Sequence, residues 1–241
     1  MQGVGWETAA KHKLGNASTD THTRFIVHTR FIVDKAKTPE GLRAKAGLSA
    51  ALKSKAPNMA EEQLILVDEF NRAAGSAAKT MVHREGLLHR AFSIFVVDDR
   101  ARILLQQRNP KKYHSGGLWA NSCCGHPRPG ERTVAAARRR LKEELGATCP
   151  LSFGFFARYS SDLDRGMQEN ELVYVYFGRL RDETQPDPAE VVDLTWLSWD
   201  EISHRVVRNA SAFTVWFKHY FRKHGADIAR LAKQVSESGN Q

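Results

Sequence analysis

The run from Asn121 to Gly146, NSCCGHPRPGERTVAAARRRLKEELG, constrains this 241-residue chain more than any other. It leads from a stretch bearing thiols and an imidazole, through a Gly/Pro-rich turn, into a charged helix. Gly125 is followed after five residues by Glu131, and after seven more by Arg139, Arg140, Leu141, Lys142, Glu143, Glu144, Leu145 and Gly146. At roughly 100° per residue, Val134, Ala137, Leu141 and Leu145 fall on one stripe, the face expected to be buried. Gly146 suits a helix C-terminal cap. Arg140 and Glu144 lie four apart at the edge of that stripe, whereas Glu143 points the opposite way. An ordinary surface ion pair at this spacing contributes about 0.5 kcal/mol at most, so spacing alone leaves structural and functional readings evenly matched.

The length suits one domain with an appendage, and 41% hydrophobic content supports a real core. Residues 1–58 carry ten Lys/Arg against four Asp/Glu, and the remainder carries 26 against 23, so the net charge of +9 describes the leader more than the domain. No RNA-binding signature and no basic helix with an aromatic face accompanies that charge, and nucleic acid is not expected as a partner. Cys123, Cys124 and Cys149 are odd in number with two adjacent. They make a poor disulfide framework and point to a reducing compartment, here the cytoplasm. No apolar run approaches the ~18 residues of a membrane helix, so no membrane partner is expected either.

In the leader, HTRFIV at 22–27 recurs at once at 28–33, too short a unit for a solenoid. The Ala/Lys-rich stretch from Pro39 to Lys55 has the composition of a loose helix. An organelle-targeting peptide, a disordered tail and a start codon assigned too early all compete for residues 1–58; four acids and the lack of a secretory-type apolar core favour the latter two.

From Gln63, LILVDE reads as a strand and Asn71–Ser76 as a turn. His89–Val97 and Arg102–Gln107 read as strands joined at Asp98-Asp99-Arg100, followed by a loop over Asn109–Gly117. After the charged helix come strands at Phe153–Tyr159, Glu171–Leu180 and Asp193–Leu197. Helices follow over Ser198–Val207 and Ala212–His224, the second continuing weakly toward Gln234. This interleaving predicts an α/β sandwich around a mixed sheet.

The pattern from Gly125 to Gly146 resembles a Nudix box with one departure: the box has glutamate directly after its first arginine, where this chain has Arg140. Cys-Gly-His-Pro at 124–127 is foreign to most Nudix hydrolases and is similar to the active-site loop of the metal-dependent isopentenyl diphosphate isomerases. The resemblance spans about residues 62 to 222. It implies a Nudix-fold α/β/α sandwich around a mixed β-sheet, over a domain from 59 to 241.

The resemblance also assigns roles. Cys124 and Glu171 match the acid/base pair, and Tyr159 the tyrosine that hydrogen-bonds the glutamate. His83, His89, His126, Glu169 and Glu171 match an octahedral divalent-metal site, whose mixed ligation suits Mn2+, Mg2+ or Zn2+. Each residue alone has a bland reading, as a structural histidine or a solvated carboxylate. Glu169 and Glu171, two apart, share a face if a strand begins there. Glu144 matches the ligand of a Mg2+ that also holds the substrate diphosphate. Lys79, Arg108, Lys112 and Arg140 match the residues around that trianionic head group. Trp119 and Trp216 are expected in the pocket wall, Trp196 and Trp199 in the core. Cys124, in a Gly/Pro-bounded loop just before a helix, is expected to have a lowered thiol pKa; Cys123 and Cys149 are expected to be packed.

The implied activity is interconversion of isopentenyl and dimethylallyl diphosphate, with these two as the expected small-molecule partners of a monomer or weak dimer. Moving the double bond adds a proton at one carbon and removes one two carbons away, through a tertiary carbocation. General acid/base groups supply about 10²–10⁴-fold, so a tryptophan face and a dry pocket would have to stabilise the cation as well. Two other readings stand beside this one: a Nudix pyrophosphohydrolase using Glu143 and Glu144, and a catalytically idle Nudix module binding nucleic acid through its leader.

Overall fold

The computed structural model describes residues 61–238. The tandem hexapeptide and the Ala/Lys-rich stretch lie outside them. The core strand is β3 (His89–Val97), buried at every position but Arg90 and apolar at all but His89, Arg90 and Ser93. A strand of this kind belongs inside a sheet covered on both faces. It runs parallel to β8 (Gln168–Arg179), with His89 opposite Glu171, and antiparallel to β1 (Gln63–Val67), β4 (Ile103–Arg108) and β6 (Cys123–Gly125). β2 (Ala73–Ala78) borders β1, β5 (Trp119–Asn121) and β9 (Val191–Leu197) border β4, and β7 (Leu151–Asp162) borders β8.

Alternation along β3 and β8 divides the core in two. Ala91, Phe95, Val97, Val173, Val175 and Phe177 face one layer, with Ile202 of α3 (Trp199–Arg208) and Trp216, Phe217 and Tyr220 of α4 (Val215–Glu237). Phe92, Ile94, Val96 and Tyr176 face the other, against Ala137, Leu141 and Leu145 of α2 (Thr133–Leu145). The mixed sheet therefore lies between helical layers, as the strand and helix order predicts.

The stripe on α2 is as expected for Ala137, Leu141 and Leu145, with Val134 half-buried at its edge. Gly146 caps the helix in the left-handed conformation at φ 62°. Ser198 forms a capping box with Glu201 at the start of α3. Three short elements depart from the reading of the sequence. The stretch read as a turn over Asn71–Ser76 contributes most of edge strand β2, whose Ala and Gly residues pair through backbone alone. β5 and β6 occupy a region with no visible alternation, each being three residues long. The single-turn helix α1 (Lys79–Arg84) was not foreseen, and α4 starts at Val215 rather than Ala212. Among the described residues, no helix is long and apolar enough to cross a membrane.

Candidate active site

The period-two rule puts the chemistry on one face. His89 and Ser93 of β3, Glu169 and Glu171 of β8, and Tyr159 of β7 have the same parity as the residues facing α4, and β6 turns Cys124 toward that layer while Cys123 joins the α2 layer. Ser93, Cys124, Tyr159, Glu169 and Glu171 line a cavity of about 600 Å³, a size ordinary for small-molecule sites.

His83, His89, His126, Glu169 and Glu171 are all buried. Nδ1 of His83 contacts the Lys79 carbonyl at 2.8 Å, and Nδ1 of His89 the Leu87 carbonyl at 2.8 Å. A carbonyl only accepts, so both Nδ1 atoms carry a proton and both Nε2 atoms turn inward. His83 Nε2 lies 3.4 Å from Glu169 Oε2, and His89 Nε2 lies 4.0 Å from the same oxygen and 3.5 Å from Glu171 Oε1. His126 Nε2 meets Glu171 Oε1 at 3.0 Å. His83 Nε2, His89 Nε2, His126 Nδ1 and Glu169 Oε2 are buried without hydrogen-bond partners. Buried polar atoms left without partners cost free energy, which a cation bound by the His and Glu side chains would offset. The spacings also match donors around one ion at about 2.1 Å, which stand about 3.0 Å apart as neighbours and about 4.2 Å across. These His/Glu groups could hold a divalent metal.

Burial alone would raise the Glu171 carboxyl, but hydrogen bonds and charge from His126 and His89 hold it well below the usual range. Glu169, buried beside the Glu171 charge, is raised instead. Tyr159 donates to Glu171 Oε2 at 2.7 Å, and burial with that adjacent charge keeps its phenol protonated.

Cys124 departs from expectation. Its thiol is pushed up to about 12, chiefly by burial, with the Glu144 and Glu171 charges adding to the rise. β6 and a turn, rather than a helix start, surround it, and α2 begins only at Thr133. The thiol donates to Asn121 Oδ1 at 3.2 Å and lies 3.3 Å from Ser93 Oγ. Asn121 Nδ2 bonds two carbonyls, of Ile94 and Cys123, which fixes Oδ1 as the acceptor.

The expected cations converge. Lys79, Arg108, Lys112 and Arg140 all line the cavity. Arg140 bonds Glu144 at 2.5 Å and Glu143 at 2.8 Å, so Glu144 is a buried pair member rather than a surface group. Lys79 bonds Glu62 at 2.8 Å, and the Arg108 guanidinium lies 5.2 Å from the Trp216 ring centre. Burial and the neighbouring Arg108 push the Lys112 ammonium down to about 8. Trp216 lines the cavity, but Trp119 is not brought to it: from β5 it packs against the core and pairs with Gln107. Trp196, Trp199, Cys123 and Cys149 are core-packed, as read.

Sequence reasoning missed Glu190 and His114. Glu190 ion-pairs with Lys112 and lies 3.4 Å from Arg140. His114, buried beside Glu169, is pushed down to about 2 by burial and nearby cations. Neither stands in a motif; the KKYH run beside Lys112 was the sole local hint.

Comparison with known proteins agrees with this geometry. Residues 87–217 match the NUDIX domain family. The chain is 46% identical over 176 residues to isopentenyl-diphosphate Delta-isomerase of Serratia proteamaculans, covering 71% of this chain and 98% of that one. It is also 46% identical over 172 residues to the enzyme of the same name from Burkholderia multivorans, covering 70% and 96%. The crystal structure of DR0079 from Deinococcus radiodurans aligns with a TM-score of 0.53 at 19% identity, over 72% of this chain and 99% of that one, a likeness of fold alone. A chain with this box, this thiol loop and relatives this similar over nearly their whole length belongs to the isopentenyl-diphosphate Delta-isomerase family, built on a NUDIX domain.

Proposed function

We propose that this chain interconverts isopentenyl diphosphate and dimethylallyl diphosphate in isoprenoid biosynthesis, with Cys124 and Glu171 as the proton-transfer pair. The observation that carries the reading is that the Cys124 thiol and the Glu171 carboxylate, on strands paired to β3, line one cavity with four cations. Lys79, Arg108, Lys112 and Arg140 bind the diphosphate and so anchor the five-carbon tail. The thiol, kept protonated by burial and aimed by Asn121, is a proton donor in waiting. Glu171, held ionised by His126 and His89 and oriented by Tyr159, is a proton acceptor. The two exchange roles in the reverse direction. Trp216 closes the wall and presents an aromatic surface to the tertiary carbocation, while the surrounding apolar layer excludes water that would trap it.

His83, His89, His126, Glu169 and Glu171 are the residues to hold a divalent ion, Mn2+, Mg2+ or Zn2+. When bound, that ion supplies the positive charge that fixes the two carboxylates. Glu144 is the residue to meet a Mg2+ arriving with the diphosphate. Arg140 in place of the box glutamate argues against hydrolysis, because it holds both Glu143 and Glu144.

The test is incubation with isopentenyl diphosphate and Mn2+ or Mg2+ in deuterated water, followed by NMR. Deuterated dimethylallyl diphosphate is the expected product. Pyrophosphate or phosphate release from a nucleotide, with no isomer and no exchange, would replace this reading with a Nudix hydrolase.

A further inference from the structure

His114 is buried, faces one of the two β8 carboxylates, and stands with His83 and Glu169 in one of the groups that could hold a metal ion. The two oxygens of Glu169 look in different directions. Oε2 faces His83 and His89, at 3.4 and 4.0 Å. Oε1 faces His114 Nε2 at 3.7 Å, just beyond hydrogen-bond reach. The imidazole is fixed in place: its ring packs edge-on against Tyr113 and Trp216, with centroids 4.3 and 5.9 Å away. Nδ1 lies 3.2 Å from the Ser115 hydroxyl, and the Ser115 amide donates to Asp164 Oδ1 at 3.1 Å. When that hydroxyl donates to Nδ1, the neutral ring carries its proton on Nε2, the atom turned toward Glu169. A carboxylate that binds a metal through one oxygen is ordinarily steadied through the other, and loss of the steadying group costs about 10–100-fold in metal affinity.

We infer that His114 is a positioning residue for Glu169, holding the outer carboxylate oxygen through Nε2–H so that the inner oxygen is presented to a divalent ion beside His83 and His89. The inference rests on the metal-site reading above and adds a residue from the Asn109–Gly117 loop to it. That loop also carries Lys112, so the segment that supplies a diphosphate-binding cation also steadies the metal site.

The experiment is Mn2+ titration of the metal-stripped full chain, read by the EPR signal of free aqueous Mn2+, for wild type, His114→Phe and His114→Gln. Phe keeps the ring packing on Tyr113 and Trp216 but has no donor; Gln returns an N–H at similar reach. The expected result is Mn2+ binding weakened about 10–100-fold in His114→Phe and largely restored in His114→Gln, with circular dichroism and metal-free Tm alike in all three. Phe binding Mn2+ as tightly as wild type would overturn the inference. Equal weakening in both variants would make the imidazole itself a metal ligand and overturn it too. Wild type that takes up no Mn2+ would remove the metal-site reading along with it, which distinguishes that failure from the failure of His114 alone.

Discussion

Glu190 touches two of the four cations that surround the cavity, Lys112 and Arg140. With no diphosphate bound it is the carboxylate that offsets their mutual repulsion. Glu190→Gln is therefore expected to lower the Tm of the ligand-free protein, by about 2 kcal/mol of stability, and to enlarge the stabilisation that inorganic pyrophosphate confers. Thermal shift with and without pyrophosphate reads both effects, and a smaller pyrophosphate response would mean that Glu190 helps bind the anion. Cys124→Ser should lower kcat by at least about 10²-fold, with Tm and pyrophosphate affinity near those of wild type; normal turnover would remove Cys124 from the proton relay. The adjacent cysteines illustrate what a sequence conceals at this scale. Their identity and motif were legible, but the direction of the Cys124 shift was not, because it depends on how much of the sheet and α4 closes over the thiol.

At the scale of the element, the C-terminus of α2 couples the box to the loop that bears Glu190. Gln185 N donates to Leu145 O and Asp187 N to Glu144 O, at 2.8 and 2.9 Å, and the same segment ends at Glu190. Gly146 sits in this junction at φ 62°, where an added Cβ would lie 2.6 Å from the Gln185 carbonyl oxygen. Gly130 also has positive φ, at 81°, but nothing lies within 4 Å of its Cβ position. Both alanine variants carry about 1–2 kcal/mol of backbone strain, whereas only Gly146→Ala must also push the loop away. Urea unfolding should therefore rank Gly146→Ala below Gly130→Ala, and only the former should raise KM. Equal effects would show that the junction yields freely. Long elements such as β3, β8 and α2 were readable from their periodicity. β2, β5 and β6 were not, since three residues carry no period and an Ala/Gly edge strand buries no side-chain pattern.

At the scale of the whole molecule, two helical layers enclose the sheet, and the site opens within the α4 layer. Residues 1–58 carry neither periodicity nor a catalytic motif in the sequence. A chain truncated to begin at Met59 is expected to keep kcat/KM and Tm close to those of the full chain. A large loss of either would make the leader part of the domain.

The sequence by itself determined the box and its departure at Arg140, the thiol loop, the α/β class, and five of the six buried ionisable residues that crowd the candidate metal centre. The box, the thiol loop and the period of each long element are local, fixed by spacing within one helix, loop or strand, whereas the five site residues were legible only through the family resemblance those motifs carry. Only the tertiary structure decided that Trp119 packs against the core, that burial raises the Cys124 thiol, and that His114 and Glu190 join the site. Each of these depends on contacts between residues tens of positions apart. Burial and electrostatic environment exist only once the sheet has assembled and the loops have closed over it.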